Sequence, residues 1–332
     1  MINALKYVSL SQSFGLSMDP LSDVLSLLKP RSQFHVGFDA AGDWSFEFPA
    51  LDGIKFAAVV RGTCWAATSD MAEPLRFGPG DCYLLNHRQR LRLASAPGLP
   101  AQDFSNVMEA AEATGVIVHN GGGEVFVISG RFDFSGNHAA LLFEALPPIV
   151  HIPGATSQAG VLRWALEQFA AELQSPQPGG ALMSTHLAHL MLVQALRLHL
   201  AAAGDGPQGW FRALADARVG RAVSAMHAQP ARAWTLEALA AVAGMSRTVF
   251  AQRFKALVGK TAMDYLTRWR MLVAADRLRS GRDSVASVAF SLGYESESAF
   301  CAAFRRVMQC SPTQYRRQGA PAVAGIESAA SA

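Results

Sequence analysis

The chain has 332 residues, of which 50% are hydrophobic, 9% aromatic and 17% charged, with a net charge of +3. This composition suits a globular protein with room for two cores and excludes a disordered chain. No apolar run reaches the ~18 residues a membrane-spanning helix needs, and four Cys without CxxC or Cys/His spacing exclude a disulfide framework and point to no zinc site.

In chain order, residues 1–17 hold one Lys and no apolar stretch ending in a small-residue cleavage site. They read as a loose extension and not as a secretory leader, so the cytoplasm is the expected compartment. Residues 18–150 form the first expected domain, β-rich over 33–134. Runs at 54–60 (IKFAAVV), 63–68, 81–85, 116–119 and 124–129 are punctuated by Gly, Pro and Asp, the pattern of a sandwich or barrel. Residues 90–94 alternate polar and apolar, as a half-buried strand does. Residues 95–115 read as a loop or short helix, and Asn120-Gly121-Gly122-Gly123 as the turn of a hairpin.

The period changes near residue 138. Helices are expected at 139–146, stopped by Pro147-Pro148, and at 160–173 and 181–203. Leu187, Leu190, Met191, Gln194 and Leu198 form a stripe on the last of these. Residues 151–209 are thus expected to be a helical coupling or dimerisation region, closed by the Gly-rich linker 201–209.

Charge then divides the chain. Residues 210–317 hold 17 Lys and Arg against 7 Asp and Glu, a net of +10, and the remainder a net of −7. A basic part joined to an acidic one points to nucleic-acid contact by the basic part. Within it a pattern recurs at an offset of 50 residues: Ser246, Phe250, Phe254, Lys255, Thr261 and Tyr265 return as Ser296, Phe300, Phe304, Arg305, Ser311 and Tyr315. Before the first copy, Val219, Ala222, Val223 and Met226 mark a leading helix, and Thr235 caps a second one carrying Leu236, Leu239, Ala240 and Ala243. Gly244 supplies the turn, and Ser246 caps a third helix with Phe250 and Phe254 inward. Before the second copy, Val285, Val288, Ala289 and Leu292 mark the support helix and Gly293 its end. Ser311-Pro312-Thr313-Gln314 has the cap, first-turn Pro and Gln of a capping box. A helix from Thr261 to about Ser280 connects two helix-turn-helix units, a length suited to recognition helices one DNA turn, about 34 Å, apart. The tail 318–332 is rich in Ala, Ser and Gly and is expected to be disordered.

The segment AFSLGYESESAFCAAFRRVMQCSPTQYRR, with its G-Y, S-x-x-x-F-x-x-x-F-R and S-P-x-x-Y-R, resembles the DNA-binding domain of the AraC/XylS family of transcription regulators. It departs from the family pattern at Gln309, usually Gly, and at Ala262, often Pro. FGPGDCYLLN (77–86), GRFDF and ALPPIVHIP are similar to the cupin-like ligand-binding domains of that family. The resemblance implies an α+β protein: an N-terminal cupin-like β-barrel or sandwich with a helical dimerisation region, then an all-α double helix-turn-helix. It implies double-stranded DNA, RNA polymerase and a second copy of the chain as partners, with a small-molecule or redox effector, activation of transcription, and no enzymatic activity or cofactor.

By the family's helix geometry, the outward positions of the first recognition helix (246–257) include Arg247, Thr248, Gln252 and Lys255, with Arg253 beside them. Those of the second (296–307) include Glu297, Ser298, Cys301 and Arg305. Gln bonds adenine bidentately and Thr touches a thymine methyl, so the first helix is expected to carry more direct readout and the second more positioning and shape readout. Arg253, Arg268, Arg270, Arg305 and Arg316 are candidates for phosphate contact, which supplies affinity and its salt dependence. In the N-terminal domain, Cys64 and Cys82 lie on expected strands, and a redox-responsive regulator using them is the alternative reading. A metal-dependent cupin enzyme fused to a DNA-binding domain would need clustered ligands; His35, His87 and His119 are scattered, without a His-x-His pair and trailing Glu, so no metal is expected.

Overall fold

The computed structural model describes residues 19–50, 52–86, 89–108, 115–134, 140–144, 146–156, 159–202, 209–281 and 283–319. The extension expected at 1–17 lies outside them, as does the tail, apart from residues 318 and 319, which finish the last helix. The chain forms two compact units, one of Leu28–Asp216 and one that joins Ala217 onward to the N-terminal segment through Leu27.

The first unit is a sandwich of two sheets. β1 (Arg31–Ala40), β3 (Ile54–Arg61), β6 (Cys82–Leu85), β9 (Val116–His119), β10 (Val125–Asp133) and β11 (Ile149–Ile152) form one, in the order β11-β6-β3-β10-β1-β9. β2 (Ser45–Phe48), β4 (Cys64–Ala67), β5 (Leu75–Phe77), β7 (Leu91–Ala94) and β8 (Gln102–Asp103) form the other, in the order β5-β4-β7-β2-β8. Residues of one parity meet between the sheets, as period-two side-chain alternation requires: Phe38 and Ala40, Ala57 and Val59, Leu91 and Leu93, Val125 and Val127 share one core with Trp44, Phe46 and Tyr83. The expected α+β architecture with a sandwich at its N-terminal end is present.

One expectation is corrected here. The Asn120–Gly123 turn closes no hairpin, because β1 lies between β9 and β10, parallel to the first and antiparallel to the second. The turn instead crosses the end of β1, where the Gly123 amide donates to the Asp39 carboxylate at 2.8 Å and a Cβ added to Gly122, at a φ of 68°, would crowd the same carboxylate at 3.0 Å. Residues 95–115 supply β8 and the one-turn helix α2 (Ser105–Met108), and 109–114 are outside the described residues. Of the helix expected at 139–146 the described part is the single turn α3 (Ala140–Phe143). Two long helices, α4 (Gly160–Gln174) and α5 (Gly180–Ala202), pack on each other, and Phe169 of α4 meets Phe56 of β3 edge-on at 6.0 Å. α6 (Trp210–Ala215) belongs to this unit and sets Phe211 against His199 of α5.

The second unit is helical: α7 (Val219–Ala228), α8 (Leu236–Ala243), α9 (Arg247–Val258), α10 (Ala262–Ser280), α11 (Val285–Ser291), α12 (Glu297–Met308) and α13 (Pro312–Gly319). The helix α1 (Pro20–Leu28), which opens the chain's described part, reaches this unit: the Asp23 carboxylate lies 3.3 Å from Nδ1 of His227 on α7.

Candidate nucleic-acid interface

The interface is built from capped helices. All six from α8 to α13 begin on a Ser or Thr whose hydroxyl accepts a backbone N–H three residues on: Thr235, Ser246, Thr261, Ser284, Ser296 and Ser311. Each such cap contributes about 1 kcal/mol and fixes where its helix starts. Ser311 also receives the reciprocal bond, its amide donating to Gln314 Oε1 at 3.0 Å, which completes the expected capping box.

The 50-residue repeat is a repeat of packing. On α9, Phe250 and Phe254 lie 5.6 Å apart, and Phe254 meets Tyr265 of α10 at 5.9 Å. On α12, Phe300 and Phe304 lie 5.7 Å apart, and Phe304 meets Tyr315 of α13 at 5.6 Å. All six rings are buried, so each copy nails a 12-residue helix to the helix that follows it by one aromatic triad. Both helices end on a left-handed residue, Gly259 and Gln309, whose amide donates to Lys255 and Arg305 respectively. The turn before α9 runs Gly244-Met245-Ser246, and the one before α12 has one residue more, Gly293-Tyr294-Glu295-Ser296.

What the aromatic triads pull inward leaves the other face to solvent. Arg247, Thr248, Gln252, Arg253 and Lys255 are exposed on α9, and Glu297, Ser298 and Arg305 on α12. Cys301 is half-buried, and burial, then Glu297, pushes its thiol pKa up, partly offset by Arg305. Arg247 is not idle: its Nε lies 2.8 Å from Glu237 of α8. Two of the expected phosphate contacts are engaged elsewhere. Arg270 on α10 donates to the Pro230 carbonyl at 2.6 Å and the Arg232 carbonyl at 2.8 Å, with its guanidinium 5.7 Å from the centre of the Tyr294 ring. Arg316 donates to the Asp283 carbonyl. Both bind carbonyls of loops that connect the helices, a use of Arg that sequence spacing does not announce. The residues that sequence reading passed over are Lys260 and Arg306, which with Arg268 line a shallow cleft between α10 and the end of α12. The signal for them was adjacency, since Lys260 directly precedes Thr261 and Arg306 directly follows Arg305, both marked residues.

Residues 239–318 match a family model described as a helix-turn-helix domain, and residues 19–201 match one described as cupin. Over 300 residues the chain is 43% identical to a Streptomyces lividans protein named as an AraC-like transcription regulator, covering 90% of this chain and 98% of that one. The chain belongs to the AraC/XylS family. A second such regulator, from Streptomyces antibioticus, is 41% identical over 92% of this chain and 100% of its own length. The solved DNA-binding domain of AdpA, in complex with a target DNA, is 34% identical over 29% of this chain and 87% of that domain, with a TM-score of 0.29. The family member described here is a DNA-binding transcription regulator with a cupin-like N-terminal domain.

In that N-terminal unit of the regulator lies a cavity of about 290 Å³, walled by Phe38, Trp44, Tyr83, Leu91, Leu93 and Phe104 and bordered by Lys55 and Arg131. Its volume is at the lower end of the ~300–1,000 Å³ usual for small-ligand pockets. The period-two pattern could have found Lys55, which shares the parity of Ala57 and Val59 on a strand that is apolar from Phe56 to Val60. Cys64 and Cys82 are both buried and free, on strands of different sheets. Burial first, and then Asp81, pushes each thiol up to about 12, far from a reactive thiolate. Among the described residues no three His, Cys, Asp or Glu side chains are grouped to hold a metal. His87 and the side chain of His35 lie outside the described residues, and His119 packs between the rings of Phe38 and Phe46. No described helix is long and apolar enough to cross a membrane.

Proposed function

We propose that this regulator reads two successive major grooves with α9 and α12, and that a small effector entering the N-terminal cavity alters that reading. The observation that carries it is the matched pair of capped 12-residue helices, each locked by its aromatic triad and each turning polar side chains outward. Thr248 and Gln252 contact base edges, while Arg247, Arg253, Lys255 and Arg305 bond phosphates, helped by Lys260 and Arg306. Glu297, Ser298 and Cys301 make the second helix poorer in donors, so it positions the protein and reads DNA shape. Arg247 reaches DNA only by leaving Glu237.

The protein acts in the cytoplasm as a homodimer, activates transcription through RNA polymerase and carries no catalytic activity of its own. Support for the dimer comes from Val161 and Trp164 on α4 and Leu182 and Met183 on α5, four large apolar side chains left exposed on a paired set of helices. The buried, protonated state of Cys64 and Cys82 favours a cavity-bound effector over thiol chemistry as the signal.

The test is selection of bound genomic fragments by the purified protein, with footprinting at two salt concentrations. Protection in adjacent major grooves of a discrete site is expected. Gln252→Ala is expected to cost about 1–3 kcal/mol of discrimination at one base pair, while Arg253→Ala weakens all sequences alike and shallows the salt slope by about 1. Should neither change affinity, preference or slope, α9 is not the reading helix.

A further inference from the structure

The N-terminal cavity holds a charge that the fold around it does not neutralise. Lys55 on β3 and Arg131 on β10 stand directly opposite each other in the antiparallel ladder, and both border the same cavity. Like charges so placed destabilise a sheet, and withdrawing them from water adds to the cost. Arg131 is compensated by Asp133, its Nε 2.8 Å from the carboxylate. Lys55 is not. Its ammonium donates to the Pro49 carbonyl at 2.9 Å and lies 5.4 Å from the centre of the Phe48 ring, and the cavity has no acidic residue among its described lining. One unbalanced positive charge therefore stands at the polar end of a chamber whose other walls are aromatic and aliphatic.

We propose that this cavity binds a small amphiphilic monoanion, an apolar body carrying one carboxylate, with the body against Phe38, Trp44 and Phe104 and the carboxylate beside Lys55 and Arg131. This rests on the reading of the cavity as the effector site and adds the chemical class. A carboxylate supplies the counter-charge that the ladder lacks, and the guanidinium and ammonium offer it charge-assisted hydrogen bonds. An uncharged ligand of the same shape would leave the like-charge opposition in place.

A pH signature follows. The charged and titratable groups beside Lys55 are Arg131 and Asp133 from β10 and Tyr83 from β6, whose phenol is kept neutral by burial. Burial, with Arg131 second, brings the Lys55 amine down to about 8. A bound carboxylate favours the ammonium, so binding is strong below that pH and weakens as pH rises through it.

The experiment titrates the full-length protein with octanoate and octanol, and with hydrocinnamate and its alcohol, following Trp44 fluorescence and heat of binding below and above pH 8. Each carboxylate that enters is expected to bind about tenfold or more tighter than its alcohol, the worth of one charged hydrogen bond. That preference should vanish in Lys55→Met and fade above pH 8, and Lys55→Arg should keep it at both pH values. Unliganded Lys55→Met is expected to melt no lower than the parent, because it removes a like-charge opposition. Equal binding of acid and alcohol, unmoved by Lys55→Met, would overturn the charge assignment and leave the effector cavity standing. Binding of none of the four probes would overturn both.

Discussion

At the scale of single residues, two side chains show how local physics and context combine. Gln309 stands where a helix ends in the left-handed region, with φ of 59°, a conformation that costs a residue with a Cβ roughly 1–2 kcal/mol relative to Gly. Its side-chain amide Nε2 recovers part of this by donating to the Arg306 carbonyl at 2.9 Å. Gln309→Gly is therefore expected to stabilise the C-terminal unit by about 1 kcal/mol and raise its melting temperature by a few degrees, without changing the DNA footprint. His227 is the other case. It is buried, stacked on Trp269 at 3.8 Å, with Nε2 2.8 Å from the Tyr265 hydroxyl. Burial holds its pKa below the ordinary 6.5, and Asp23 offsets only part of that. A His with a depressed folded pKa contributes its full stability above the unfolded value; below it the unfolded chain takes the proton first and stability falls. Denaturant midpoints of the wild type should thus drop as pH falls below about 6.5, and the drop should be shallower in His227→Gln.

At the scale of elements, the spacing of the two recognition helices depends on more than the connecting helix. α10 joins them, but Arg270 in its middle also grips the loop between α7 and α8 through Pro230 and Arg232, and faces Tyr294 in the turn before α12. That turn is pressed against the same loop, since a Cβ on Gly293 would lie 2.1 Å from the Ala231 carbonyl oxygen. Arg270 is thus a clamp between the two helix-turn-helix units. Arg270→Ala removes the donor to the Pro230 carbonyl, while the Arg232 carbonyl keeps the Trp234 amide at 2.8 Å, and is expected to cost about 1–3 kcal/mol. Its functional mark is specific. Affinity for a site with both half-sites should fall by more than affinity for one half-site, as measured by titration with the two DNAs. An equal loss on both would mean that α10 alone sets the spacing.

At the scale of the whole molecule, the chain passes between the two compact units twice, at residues 27–28 and again at 216–217. The stretch that opens the described chain thereby contributes α1 to the DNA-binding unit, through Asp23 and His227. A fragment beginning at Gly209 lacks α1 and is expected to melt several degrees below the same unit in the intact chain. Asp23→Ala in the full-length protein should reproduce part of that loss. Thermal scans followed by Trp fluorescence decide it: equal midpoints would make α1 a passive lead-in to β1.

Much of this was legible in the sequence, for a definite reason. Helix caps, turn glycines and the aromatic repeat are local, acting over three to fifty residues in fixed register, so Ser246, Gly244 and the Phe250–Phe254–Tyr265 set could be read directly. The sequence alone determined the α+β class, the double helix-turn-helix and the outward face of α9. Only the tertiary structure decided that β1 separates β9 from β10, that Arg270 and Arg316 hold backbone, and that α1 joins the far end of the chain. It alone set Lys55 opposite Arg131 at the edge of an apolar cavity. Strand order and side-chain partners are long-range pairings, and an Arg or a Lys looks the same in sequence whether it meets water, a carbonyl or another charge.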